Sequence, residues 1–227
     1  MDNIKKSRDK SNLVPLQGLG VKICGMKYPS NTAEVAALKP EMMGFIFYPK
    51  SPRYAEPLDE KILQALPKRI MKIGVFVNAS LDEILEVVKK YSLNGVQLHG
   101  TEPKEVCYTL RSVGLLVLKA FAISEVTDFR ATEEYEGSCD FFLFDTKTPA
   151  HGGSGQKFDW SVLSAYEGDT RFLLSGGISV DDADVIKQIN HLLLAGVDLN
   201  SKFEVSPGLK NVELLSKFLK QIRTPNP

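Results

Sequence analysis

KIGVFVNASLDEILEVVKKYSLNGVQLHG, residues 72–100, changes its hydrophobic period twice. Its first part, KIGVFVN, is a short run of apolar and β-branched residues of strand length. Residues 81–92, LDEILEVVKKYS, then carry apolar side chains at three- and four-residue spacing, as on one face of a helix. GVQLHG returns to the strand pattern. A strand that follows a helix in this way lies parallel to the strand before it, because the helix supplies the crossover that parallel pairing requires.

The same alternation begins after residue 20 and fills the chain. VKICG, MGFIFY, KIGVFVN, GVQLHG, LLVLKAFA, FFLFDT, RFLLSGG and LAGVDLNS read as strands, and helical patterns lie between them. EPKEVCYTLRSVG is one such pattern, with Gly114 placed to stop it. SVDDADVIKQI is another, opened by a serine and acids suited to a helix N-terminus. Trp160, in FDWSVL, is expected to pack the sixth helix onto the sheet. Eight such units in a chain of 227 residues fit a closed α/β fold, the (β/α)8 TIM barrel, as a single domain over residues 21–223. An open flavodoxin-like or Rossmann sheet is the alternative. Against it, CGMKYPSN after the first strand lacks the G-x-G-x-x-G that cradles a dinucleotide.

Residues 1–20 carry charge but no apolar core of signal-peptide length, and read as a flexible N-terminal extension or a plug beneath the barrel. Formal net charge is zero, so bulk charge points to neither nucleic acid nor a membrane as partner. The sequence has no apolar run near the roughly 18 residues that span a bilayer. Three widely spaced cysteines make no disulfide framework and fit a reducing cytoplasm.

Barrel active sites lie at the C-terminal ends of the strands, so the faces of those last residues matter. Residues two apart share a face. Lys22 and Cys24 are paired in this way, as are Gln97 with His99, and Asp198 with Asn200. Asn78 goes with Phe76, Lys119 with Val117, and Asp145 with Leu143. The expectation is that these polar groups all project into the top of the barrel. Each one left unsatisfied would cost about 1–3 kcal/mol, so a ring of them suggests a polar substrate.

Glycine-rich segments, HGGSGQ at 151–156 and SGGIS at 175–179, follow the sixth and seventh strands. Glycine lets backbone N–H groups approach an anion, and this end of such barrels often holds phosphate, although simple turns also use glycine. Asp145, closing an apolar strand, reads either as a salt-bridged or capping group or as a general acid raised by desolvation. Arg53 in KSPRY is either a solvated loop residue or a planar fork for a carboxylate. Cys24 is either a buried thiol or a reactive one, whereas Cys107 and Cys139 read as packing residues. The three histidines, His99, His151 and His191, lack metal-ligand spacing, and no metal is expected.

KICGM, GFIFYPKSPRY, GVFVN, VQLHG, FLFDTKTPAHGGSGQKFDW, LLSGGIS and GVDLNSKFEVSPGLKN occur in order between residues 22 and 211. With them the chain resembles the phosphoribosylanthranilate isomerase family. The resemblance implies a (β/α)8 barrel that works without a cofactor on a small phosphoribosyl substrate, as a monomer or homodimer in the cytoplasm. It implies an Amadori rearrangement with Asp145 as general acid and Cys24 as general base. It also implies that Arg53 holds the anthranilate carboxylate, and that Gly176, Gly177 and Ser201 lie in the phosphate loops. One departure stands out: where the family commonly has DVSSGVE, this chain has DLNSKFE, with Lys202 in place of a glycine. Competing readings are the related aminoaldose isomerase of histidine biosynthesis, or an enzyme serving both substrates. Those enzymes typically place aspartate where Cys24 stands. A non-catalytic sugar-phosphate barrel would need neither Cys24 nor Asp145, and a thiol redox protein would want a C-x-x-C partner.

Overall fold

The computed structural model describes residues 18–56, 58–147 and 157–225. The HGGSGQ segment and nearly all of the N-terminal extension therefore lie outside the described residues. Eight short, buried strands follow one another around a closed ring: β1 (Gly20–Ile23), β2 (Met42–Ile46), β3 (Met71–Phe76), β4 (Gly95–Leu98), β5 (Leu116–Ile123), β6 (Phe141–Thr146), β7 (Phe172–Leu174) and β8 (Leu194–Leu199). Each pairs in parallel with the next. The ring closes where β1 meets β8, with Lys22 opposite Asp198.

Helices α1 (Pro29–Ala37), α2 (Glu60–Ala65), α3 (Leu81–Tyr91), α4 (Lys104–Ser112), α5 (Ala183–Lys187) and α6 (Val212–Arg223) cover the outside. Local chemistry sets their ends. Ser80 and Glu83 form a reciprocal capping box at the start of α3, and Ser92 ends it in a left-handed conformation. Gly114, at φ 89°, stops the chain after α4 as its position in the sequence suggests.

Two connections depart from the regular alternation. Val126–Tyr135, after β5, and Trp160–Ala165, after β6, are 3-10 helices. In the first, the buried residues are Phe129, Thr132 and Tyr135, spaced by three. That is the period of a three-residue turn, which stacks these side chains in one line toward the strands. Trp160 thus packs from a short 3-10 segment, half-buried against the outer core.

Packing divides into two regions. Between strands and helices lies the large outer core, which includes Val21, Ile23, Phe76, Val96, Val117, Phe121, Val197 and Leu199. Inside the barrel is a smaller layer of Met42, Ile73, Leu116, Leu118, Leu173 and Ala195. This division corrects two side-chain directions. Phe76 and Val117 belong to the outer core, so Asn78 and Lys119, which share their faces, point outward rather than into the barrel. Asn78 Oδ1 accepts from the Thr101 N–H, and Lys119 donates to the Gly100 carbonyl. Both strands are apolar on both faces, so composition does not reveal which face turns inward.

Cys107 and Cys139 are buried free thiols. Among the described residues, no helix is long and apolar enough to cross a membrane.

Candidate active site

Cys24 follows β1 directly, and its N–H donates to the Leu199 carbonyl of β8 at 2.9 Å. Gly25 then turns the chain with φ 78°, and a methyl group there would stand 2.8 Å from both Arg53 Cδ and Asn200 Oδ1. Gly44 of β2 leaves the space that the thiol fills, since a methyl group on it would lie 2.8 Å from Cys24 Sγ. The sulfur therefore sits in a notch at the C-terminal mouth of the barrel, 3 % exposed. Burial pushes its thiol above the ordinary range. The Lys22 ammonium opposes that shift, the Asp198 carboxylate adds to it, and Lys210 opposes it again.

A cavity of about 410 Å³ opens over Cys24. Asp145 reaches it from β6, Gln97 and His99 from β4, and Asp198 from β8. The loops after β7 and β8 contribute Gly176, Gly177 and Ser201, and the loop after β2 contributes Arg53. All six residues singled out by the family resemblance thus line one cavity. Lys202 is exposed and is not part of this lining, although its neighbour Ser201 is.

Asp145 is held on both oxygens. Its Oδ1 accepts from the Thr146 N–H at 2.9 Å, and its Oδ2 lies 3.4 Å from His99 Nε2. On the far side of the imidazole, Gln97 Nε2 is 2.7 Å from His99 Nδ1. That contact leaves the buried Gln97 Oε1 without a hydrogen-bond partner among the described residues. Gly176, at φ 89°, permits the close approach of the β6 and β7 ends: a methyl group there would sit 2.9 Å from Asp145 Oδ1.

The fork of Arg53 is already engaged by a protein carboxylate. Its Nε lies 2.9 Å from Glu204 Oε1, and its Nη2 lies 2.7 Å from Glu204 Oε2. Glu204 also takes the Lys210 ammonium at 2.7 Å, and Lys210 in turn reaches Asn200 Oδ1 at 2.8 Å. Burial by itself would push Glu204 up, but the charges of Arg53 and Lys210 outweigh it and hold the carboxyl below its usual range. Glu204 and Lys210 belong to a hairpin, β9 (Glu204–Ser206) and β10 (Leu209–Lys210), turned at Pro207 and Gly208. With proline second and glycine third at φ 86°, this is a type II turn.

Sequence reading did not find Glu204, Lys210 or the contact between His99 and Asp145. The available signal was weak: SPG marks a turn, but nothing in it says that the hairpin folds back over the mouth. A second, more open groove of about 690 Å³ lies beside the Trp160 segment and α5, and it contains His191.

The profile of the N-(5'-phosphoribosyl)anthranilate (PRA) isomerase family matches residues 21–221. The chain belongs to the phosphoribosylanthranilate isomerase family. An isomerase of that name from Parabacteroides distasonis is 46% identical over 207 residues, covering 90% of this chain and 94% of its own. The family's crystal structure from Thermotoga maritima superposes with a TM-score of 0.81 at 36% identity, covering 90% of this chain and 98% of that one. Another family structure, in complex with reduced 1-(o-carboxyphenylamino)-1-deoxyribulose 5-phosphate, gives 0.79 at 32% identity with the same coverage.

Proposed function

We propose that this chain is the isomerase that converts N-(5-phosphoribosyl)anthranilate into 1-(2-carboxyphenylamino)-1-deoxyribulose 5-phosphate in tryptophan biosynthesis. The observation that carries the reading is the placement of a thiol and a carboxyl, Cys24 and Asp145, in one cavity at the ends of β1 and β6. Asp145 gives its proton to the furanose ring oxygen as the bond from that oxygen to C1′ breaks, which leaves a protonated Schiff base. The Cys24 thiolate takes the proton from C2′, and the electron pair moves to give an enolamine. C1′ then gains a proton and the 2′ hydroxyl loses one, which leaves the ketone. No net oxidant or reductant is consumed.

The remaining lining positions the substrate. Two nitrogens of Arg53 are held by Glu204, and Nη1, which forms no hydrogen bond among the described residues, meets the anthranilate carboxylate. Gly176, Gly177 and Ser201 receive the phosphate through the loops after β7 and β8. The separation of these two ends supports one orientation of the substrate. The buried free thiols suit a reducing cytoplasm.

Cys24 also separates this reading from the aminoaldose isomerase of histidine biosynthesis, whose members typically carry aspartate at that place. The deciding experiment follows the loss of phosphoribosylanthranilate fluorescence, with substrate generated in situ and purified protein. Turnover is expected. Failure there, together with turnover of the histidine-pathway aminoaldose, would reverse the assignment.

A further inference from the structure

Lys22 is a charged group beside the cavity with a side chain at 0% accessibility. It does not line the cavity. Its ammonium lies 2.8 Å from Asp198 Oδ1, and the Cys24 thiol is close enough for the two charges to act on each other. Gly44 brings the two side chains together: one methyl group there would meet Cys24 Sγ at 2.8 Å and Lys22 Nζ at 3.2 Å. A buried ion pair is a poor source of stability, and apolar side chains of similar size generally serve as well. The barrel layer beneath is in fact apolar, made of residues such as Met42, Ile73 and Leu173. Stability alone therefore does not account for an ammonium at this level of the barrel.

The charges around the sulfur come from three sides. Lys22 approaches along β1, Asp198 from β8 and Lys210 from β10, and Arg53 stands behind Lys210 across Glu204. From β2, Gly44 faces the sulfur and adds no charge. Lys210 is neutralised by its own contact with Glu204 at 2.7 Å. Of the cations, Lys22 is the one placed beside the thiol by Gly44, with its ammonium paired to the Asp198 carboxylate. Burial alone would pull the Lys22 ammonium down, but Asp198 and Cys24 more than offset it, so Lys22 stays charged.

Resting on the reading of Cys24 as the base, we propose that Lys22 is a positioning residue whose buried charge favours the anionic form of the Cys24 sulfur against the burial that disfavours it, with Asp198 keeping the ammonium charged. Lys22 keeps its three protons throughout. When the thiolate accepts the C2′ proton, sulfur becomes neutral and the site retains only the pair of Lys22 and Asp198.

The test is a pH titration of Cys24 in the whole protein, read as thiolate ultraviolet absorbance in difference against Cys24→Ser, beside the pH dependence of kcat. In Lys22→Met the thiolate midpoint is expected to move upward by about one pH unit or more, leaving about tenfold less thiolate below it, with the rising limb of kcat moving equally. Because Lys22→Met strands Asp198, the double variant Lys22→Met/Asp198→Asn provides a folded alternative, with a smaller upward shift in absorbance. An unmoved midpoint in either folded variant overturns the proposal. A moved midpoint with an unmoved kcat profile overturns the reading of Cys24 as the base and this role with it. A loss of activity in Cys24→Ala with no shift in Lys22→Met leaves the base standing and removes only Lys22.

Discussion

The inside of the barrel and the layer outside it each bury a lysine, and the two have different surroundings. Lys22 sits inside, against Asp198 and the Cys24 thiol. Lys119, 2% exposed, sits outside β5 and donates to the carbonyls of Gly100 at 2.7 Å and Ala120 at 3.3 Å. Its carboxylate partner, Glu102 at 3.4 Å, accepts in turn from the N–H groups of Asn78 and Gly100. The rings of Phe121 and Tyr135 flank the ammonium at 5.5 and 5.7 Å. Lys119 therefore ties together the ends of β3, β4 and β5; its charge also reaches the thiols of Cys107 and Cys139, but neither of these lines the cavity. Burial of a charge beside a thiol does not by itself mark a site; the thiol must also open onto the cavity, as Cys24 does.

The sharpest way to break this contrast is to remove chemistry from the inside and stability from the outside. Cys24→Ala and Asp145→Ala are each expected to lower kcat by about 10²–10⁴-fold, with circular dichroism and Tm close to those of the parent. Near-normal turnover in either variant would sink the role given to that residue. Lys119→Met leaves Glu102 buried without its cation, and is expected to lose about 3–5 kcal/mol of stability in denaturant unfolding. The kcat of the folded fraction should stay within about twofold, since a thermal readout and a kinetic one separate the two roles. A fall in kcat with stability intact would place Lys119 with the chemistry after all. Asn78→Ala is the smallest case. It loses the contacts to the Thr101 N–H and hydroxyl at 2.7 and 3.1 Å, and puts alanine at φ 54°. A loss of about 1–2 kcal/mol is expected, again without change in kcat.

The strands, their order and most of the residues that meet in the cavity could be read from the chain, because strand length, alternation and loop glycines are local properties. Side-chain direction can be read where one face of a strand is polar, as in VQLHG, but not along LLVLKAFA, where the residues around Lys119 are apolar on both faces. The 3-10 turns after β5 and β6 were missed because apolar spacing of three is contained within the helical pattern. The pairing of Arg53 with Glu204 spans 151 residues and leaves no local trace. For Cys24, adjacency to an apolar strand indicated burial, but the ammonium on one side and the carboxylate beyond it come together only when the ring closes.

That closure has a consequence in time. Lys22 and Asp198 are separated by 176 residues. On a ribosome adding about 5–20 residues per second, Lys22 waits about 10–35 s after its own synthesis before its counter-ion exists. Until then an unpaired ammonium faces the interior of an incomplete sheet, and sealing it there costs several kcal/mol. The first strand is thus kept from settling into a dry core before the last strand arrives, and the cysteine's electrostatic surroundings are completed by the same event that completes the barrel.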